Sequence, residues 1–229
     1  MEKSAPSGWL HTARRHPSAL LLAVQLLGVL LYPIMENTPL GRALFGSFGI
    51  LVLALALWVV NRTPAINWIA WCLAVPAVVV SLLAIWLQIT MLVVAAHLLE
   101  GLLYFYTAAS LTAYMLQDHR VTRDELFAVG ATFTLLAWGF AFLFSVCQQW
   151  YPGSFVAMAN PDPLRTWMEL LFLSFSILSG VGLSDIVPVL PQARALVMLE
   201  QFAGLMYIAL VVSRLVGLAT VRQHGRSRD

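Results

Sequence analysis

The chain has 229 residues, of which 60% are hydrophobic and only 10% charged, with a formal net charge of +2 and a mean hydropathy of +0.83. A soluble domain carries about 25% charged residues, so the composition excludes an ordinary soluble globular protein, and the charges here cluster between apolar runs. A membrane span needs about 20 apolar residues, which leaves room for six spans, one shorter dipping segment and no soluble ligand-binding domain after the last span.

Residues 1–17 are a polar arm with Arg14 and Arg15 just ahead of the first apolar run. No small-residue cleavage site follows that run, so no cleavable signal peptide is expected. Helices are predicted over Ser18 to Met35, Leu40 to Val60, Ala65 to Leu87 and Met91 to Leu116, the last two joined tightly through Gln88-Ile89-Thr90. The charged stretch Gln117 to Glu125 follows, and Thr122 with Glu125 has the spacing of a capping box. A fifth helix is predicted over Arg123 to Trp150, then a loop from Tyr151 to Leu164 carrying three prolines and a glycine. A short helix over Trp167 to Leu178 leads into Ser179-Gly180-Val181-Gly182-Leu183-Ser184-Asp185, and a last helix runs from Gln192 to Thr220. The two cysteines, Cys72 and Cys147, lie in apolar segments and read as packed thiols.

Lys and Arg in the short loops orient such a chain. With the N-terminus inside, Lys3, Arg14, Arg15, Arg62, Arg120, Arg123, Arg222, Arg226 and Arg228 are cytoplasmic, and only Arg42, Arg165 and Arg194 face out. The formal glycosylation sequon Asn61-Arg62-Thr63 then falls in the cytoplasm. Both termini are expected there, and the short Gly-containing segment opens to the outer side.

Irregular backbone is tolerated at membrane depth only where protein buries it or where it lines a water-filled path. The stretch Ser174 to Pro188 resembles the pore signature of the potassium-channel superfamily, whose filter reads Thr-Val-Gly-Tyr-Gly followed by Asp. Aligned on Asp185, the corresponding residues are Gly180, Val181, Gly182, Leu183 and Ser184; Val181, Gly182 and Asp185 match and the other three do not. Trp167 to Ser176 resembles the pore helix of bacterial six-helix members, and Pro191, Ala193-Arg194-Ala195 and Leu199-Glu200 resemble the start of their inner helix.

The resemblance implies an all-α membrane protein with six transmembrane helices, a re-entrant pore helix and filter between helices five and six, and a homotetrameric pore in a bacterial inner membrane. It divides the chain into a cytoplasmic arm (1–17), a four-helix peripheral bundle (18–116), a cytoplasmic linker (117–125), a pore domain (126–220) and a cytoplasmic tail (221–229). It implies passive cation conduction, with K+ as the permeant ion bound by the carbonyls of Gly180 to Ser184 and Asp185 at the outer mouth. A weakly selective Na+/K+ pore and a non-conducting subunit that assembles with another channel are the alternatives. Neither an enzyme nor a nucleic-acid partner is expected: the sequence has no phosphate loop, no Cys/His cluster and no nucleophile with its base. Membrane lipid and further copies of the chain are the expected partners, and no cofactor is expected.

Particular residues carry further expectations. Gly180 brings no hydroxyl to the innermost filter position, and Ser184 carries a Cβ where a positive φ is expected. Glu169 sits in the first turn of the pore helix, where the dipole favours an acid. The fourth helix has no arginine or lysine every third residue, so it is no voltage sensor. It holds His97 and Glu100 one turn apart, which read either as a proton-sensitive pair or as inter-helix contacts. Glu200 and Gln201 read as contacts behind the filter or as pore lining. Gly204 reads as a hinge or a close-packing point, and Arg214 as a partner of Asp124 or Glu125.

Overall fold

The computed structural model describes residues 17–35, 39–61, 67–117, 123–157 and 164–226. These form seven helices: α1 (Pro17–Met35), α2 (Pro39–Val60), α3 (Asn67–Leu87), α4 (Thr90–Gln117), α5 (Arg123–Trp150), α6 (Trp167–Leu178) and α7 (Pro191–Arg226). Proline opens α1, α2 and α7, where its missing N–H costs no intrahelical bond. Five of the helices are long and apolar enough to cross a membrane, over Pro17–Ile34, Trp68–Leu87, Thr90–Gln117, Asp124–Trp150 and Pro191–Arg214. In α2 the apolar stretch counted is the shorter Leu51–Val60. The capping partner Thr122 and the sequon positions Arg62 and Thr63 lie outside the described residues.

The helix ends agree with the sequence reading to within about two residues, except at the last helix. That helix continues to Arg226 rather than ending at Thr220, because Val-Arg-Gln contains nothing that stops a helix. The second difference is β-structure. Tyr151 to Leu164 reads as loop, yet β1 (Phe155–Ala157) and β2 (Ile186–Pro188) pair antiparallel, with Phe155 opposite Pro188 and Ala157 opposite Ile186. Extended backbone suits β-branched Val156, Ile186 and Val187, and Pro188 forces it on the residue before it. The short ribbon ties the chain after α5 to the chain entering α7, and Val189 N–H donates to the Ser154 carbonyl (2.9 Å) beside it.

Helix α5 is the hub. It packs on α1, α4, α6 and α7, and 61% of its apolar span is buried against at most 39% for any other span. Its inward residues Trp138, Phe142 and Phe144 join Tyr104 of α4, Trp167 of α6 and Phe155 of β1 in one aromatic core. Trp138 meets Trp167 edge-on at 5.1 Å, and Phe144 meets Phe155 at 5.1 Å. Such pairs contribute about 0.5–1.5 kcal/mol beyond area burial. Several polar side chains inside the bundle are matched across helices. Thr134 of α5 donates to Gln25 Oε1 of α1 (2.6 Å), and Ser18 gives both its N–H and its hydroxyl to Asp124 (3.3 and 3.0 Å). Of the two cysteines, Cys147 is buried and Cys72 exposed; Cys72 shares the outward apolar face of α3 with Trp68 and Trp71.

Among the described side chains of α7, one face is buried. Ala193, Val197, Glu200, Gly204 and Tyr207 are buried at alternating spacings of four and three, the spacing that keeps one stripe of a helix against a neighbour. Outside that stripe, Met198, Leu199, Phe202, Leu205 and Met206 are more than half exposed. A Cβ built on Gly204 would overlap the main-chain carbonyl of Leu178 at the end of α6. Backbone cannot yield as a flexible side chain does, so Gly204 is a close-packing point. Gly204→Ala is expected to lower the unfolding midpoint in detergent by the equivalent of about 3 kcal/mol, whereas Ala203→Gly beside it should cost no more than about 1 kcal/mol.

Candidate functional site

The segment between α6 and β2 is the irregular backbone that the sequence singled out. Helix α6 starts at a complete capping box: Glu169 N–H donates to Thr166 Oγ1 and Thr166 N–H donates to Glu169 Oε2 (2.6 Å). The Thr-x-x-Glu spacing was legible, and it gives Glu169 a more specific role than an acid placed by the dipole. The same carboxylate takes a 3.3 Å ion pair from Arg165, whose side chain is fully buried. Arg165 is held in turn by Gln148 of α5, which both donates to its carbonyl (2.9 Å) and accepts from its N–H (2.8 Å). A side-chain amide thus imitates a strand partner and anchors the start of α6 to α5.

The other end of α6 is closed by glycine. Gly180 N–H donates to the Ile177 carbonyl and Gly182 N–H to the Ser176 carbonyl, both at 3.0 Å. Gly180 (φ 75°) and Gly182 (φ 70°) take the left-handed conformation, which glycine adopts without the Cβ penalty. Ser184 does not share it. The expected strain at Ser184 is therefore absent, and its hydroxyl instead accepts from Ile186 N–H (3.1 Å). No described donor reaches the carbonyl oxygens of Ser179 to Ser184. Val181 and Leu183 are each 71% exposed, and Asp185 is exposed beside them. An unbroken row of unused carbonyls follows a helix whose C-terminus carries partial negative charge.

Behind this row, three helices meet at one hydroxyl. Ser174 of α6 lies 2.8 Å from the Ala137 carbonyl of α5 and in hydrogen-bond contact with Glu200 Oε1 of α7. Glu200 is completely buried among α5, α6 and α7; Gln201 is exposed. One serine proton faces two acceptors, a conflict avoided when the Glu200 carboxyl is protonated and donates to Ser174; among the described residues the second Glu200 oxygen is buried without a partner. Ser174 was missed in sequence because a serine inside an apolar helix usually bonds its own backbone. Two turns further along α7, Tyr207 OH donates to the Val129 carbonyl of α5 (2.7 Å).

The remaining singled-out residues lie elsewhere. At the start of α5, Glu125 pairs with Arg214 of α7 (3.3 Å), both side chains largely buried, while Asp124 holds Ser18 instead. Met115, Leu126, Val129, Leu210 and Val211 line a cavity of about 20 Å³ beside this pair, room for a single water. His97 and Glu100 do not bond each other. His97 Nδ1 is 3.0 Å from Ser145 Oγ of α5, and Glu100 Oε1 accepts from Ser81 of α3 (2.7 Å). Residues three apart share a helix face, but these two reach different helices from it. Among the described residues no three His, Cys, Asp or Glu side chains are grouped to hold a metal ion.

Residues 130–220, which run through most of α5, all of α6 and the carbonyl row into α7, match the model of a family described as ion channel. The match supports an ion channel, a class that works without covalent chemistry, and covers less than half of the chain. No curated protein and no solved structure matches the chain.

Two outcomes follow from these contacts. Glu200→Ala should destabilise the protein by about 2–3 kcal/mol through the cavity and the lost hydrogen bond, while Glu200→Gln, which keeps a donor and an acceptor, should cost less than half of that in detergent unfolding. Arg214→Glu and Glu125→Arg should each cost about 3 kcal/mol by leaving a buried charge uncompensated, and the double exchange should recover more than 1 kcal/mol of their sum; additive effects would dismiss the pair as a coupling element.

Proposed function

We propose that the chain is a passive cation channel that conducts K+ through a pore built by four copies. The observation that carries this reading is the row of unused carbonyls from Ser179 to Ser184. A dehydrating cation needs oxygens in place of its water shell, and rings of backbone carbonyls supply them without charge, so the ion binds and still leaves. The left-handed conformation at Gly180 and Gly182 turns the chain between successive carbonyls. The C-terminus of α6 adds negative potential, and Asp185 raises the local cation concentration.

Four copies follow from the resemblance and are supported by the exposed apolar surface. Val181, Leu183 and the outward side of α7 present large apolar side chains in a single copy, and neighbouring copies would cover them. In this reading α1 to α4 form six spans together with α5 and α7, both termini are cytoplasmic, and the capping box, Gln148, Glu200 and Gly204 brace the filter from behind. Glu125–Arg214 is the contact through which the cytoplasmic start of α5 reaches the inner helix.

A second reading, a weakly selective Na+/K+ pore, is favoured by Gly180. It stands where the resembled family has threonine, so no side-chain hydroxyl completes the innermost site, and its left-handed backbone does not suit a β-branched residue. The reversal potential of purified protein in a planar bilayer, with K+ on one side and Na+ on the other, separates the readings. The expected value lies near the K+ equilibrium potential; a value near zero supports the weakly selective pore, and no current supports a non-conducting subunit. Gly180→Thr should reduce the current rather than sharpen selectivity, since threonine would have to leave the observed φ.

A further inference from the structure

His97 and Glu100, the only His, Asp, Glu, Lys or Arg residues of α4, open into one cavity of about 210 Å³ between α3 and α4. Ser81 of α3 and Gln88 just after it complete its polar lining; Ile85, Val93 and two alanines form its apolar part, and no lysine or arginine lines it. Glu100 lies about 15 Å along α4 from Thr90, near the middle of a hydrocarbon core about 30 Å thick. An acid at that depth requires a compensating partner. Among the described residues Glu100 has only the Ser81 hydroxyl, on one oxygen, and its second oxygen has no protein donor.

The rest of the cavity defines what compensates it. Ser145 is buried and lies 3.0 Å from His97 Nδ1, so one ring nitrogen of His97 is engaged away from the Glu100 carboxylate. Gln88 uses its amide nitrogen on the Ile85 carbonyl (2.7 Å), which leaves its amide oxygen as an acceptor. Gln88 is also the one described non-glycine residue with a positive φ, 53°, and it lines the cavity from the connection between α3 and α4. The cavity therefore presents a carboxylate oxygen, an amide oxygen and an apolar wall. Metal ions are a poor fit, since a lone carboxylate and one imidazole fall short of a coordination set.

We propose that this cavity is a binding site for a small organic ammonium ion, a protonated primary amine with a short alkyl chain. Its N–H groups would bond the free oxygen of Glu100, and its alkyl group would lie along Ile85 and Val93 toward Gln88. The site is separate from the carbonyl row and its occupancy can be read without any ion flux, so it stands or falls independently of the proposed conduction.

The test titrates propylammonium chloride into the purified full-length protein in lipid nanodiscs and follows the unfolding midpoint and the heat of binding, with potassium chloride and tetramethylammonium chloride at equal ionic strength as references. A saturable rise in midpoint with propylammonium alone is expected, and Glu100→Gln should weaken binding at least about tenfold by removing the charge-assisted bond. Equal effects of tetramethylammonium, which has no N–H, would overturn the site, as would unchanged affinity in Glu100→Gln. Should that variant fail to fold, nitrogen-15 spectra of histidine-labelled wild-type protein decide. The His97 resonance, assigned by its absence in His97→Gln, should shift on adding propylammonium, and a stationary resonance refutes the proposal.

Discussion

One turn of α7 sets where α6 ends. At Glu200 the inner helix reaches Ser174 and, through it, the Ala137 carbonyl of α5; one turn later Gly204 lets its backbone touch the Leu178 carbonyl. The first contact is polar and directional, the second steric and intolerant of a single methyl group. Together they hold the last turn of α6 against two long helices, so the direction in which the chain leaves that turn is determined before Gly180 is reached. Irregular backbone with unused carbonyls can persist there because its frame is rigid and because the N–H groups of Gly180 and Gly182 are spent on α6 itself.

The opposite end of α6 is held by the same kind of solution. Gln148, Arg165, Thr166 and Glu169 satisfy each other in a chain of short-range bonds that starts on α5 and finishes on the helix N-terminus. Both ends of α6 are therefore referenced to α5, which explains why α5 is the most buried helix and why aromatic side chains converge on its middle. In an apolar surrounding each unpaired polar group is costly, and the bundle handles this by pairing across helices: Gln25 with Thr134, Asp124 with Ser18, Glu125 with Arg214, His97 with Ser145. Glu100 departs from that pattern, since one of its oxygens opens into a cavity.

The acids at the start of α5 divide their work. Asp124 binds Ser18 of α1 and Glu125 binds Arg214 of α7. Adjacent positions on a helix point about 100° apart, so two neighbours can reach two different elements. The start of α5 is in this way the point to which both α1 and α7 attach.

Helix number, helix type and most helix ends were legible in the sequence, because apolar runs near 20 residues separated by Pro, Asn and charge leave the backbone no alternative to a helix that satisfies its own hydrogen bonds. The short helix before Gly180 and the glycine pair after it were legible too, as a break in that pattern. What lay beyond was set by partners distant in sequence. Phe155 and Ile186 read as loop until the fold brings them alongside each other. His97 and Glu100, neighbours on one helix face, were drawn to Ser145 and Ser81 on different helices. Ser184 was spared the left-handed backbone because Gly180 and Gly182 make the turns. The choice between Asp124 and Glu125 for Arg214 depended on how α7 crosses α5. Local periodicity specifies which residues face inward; which of them meet depends on the packing of helices against one another, and a single chain's sequence does not encode that locally.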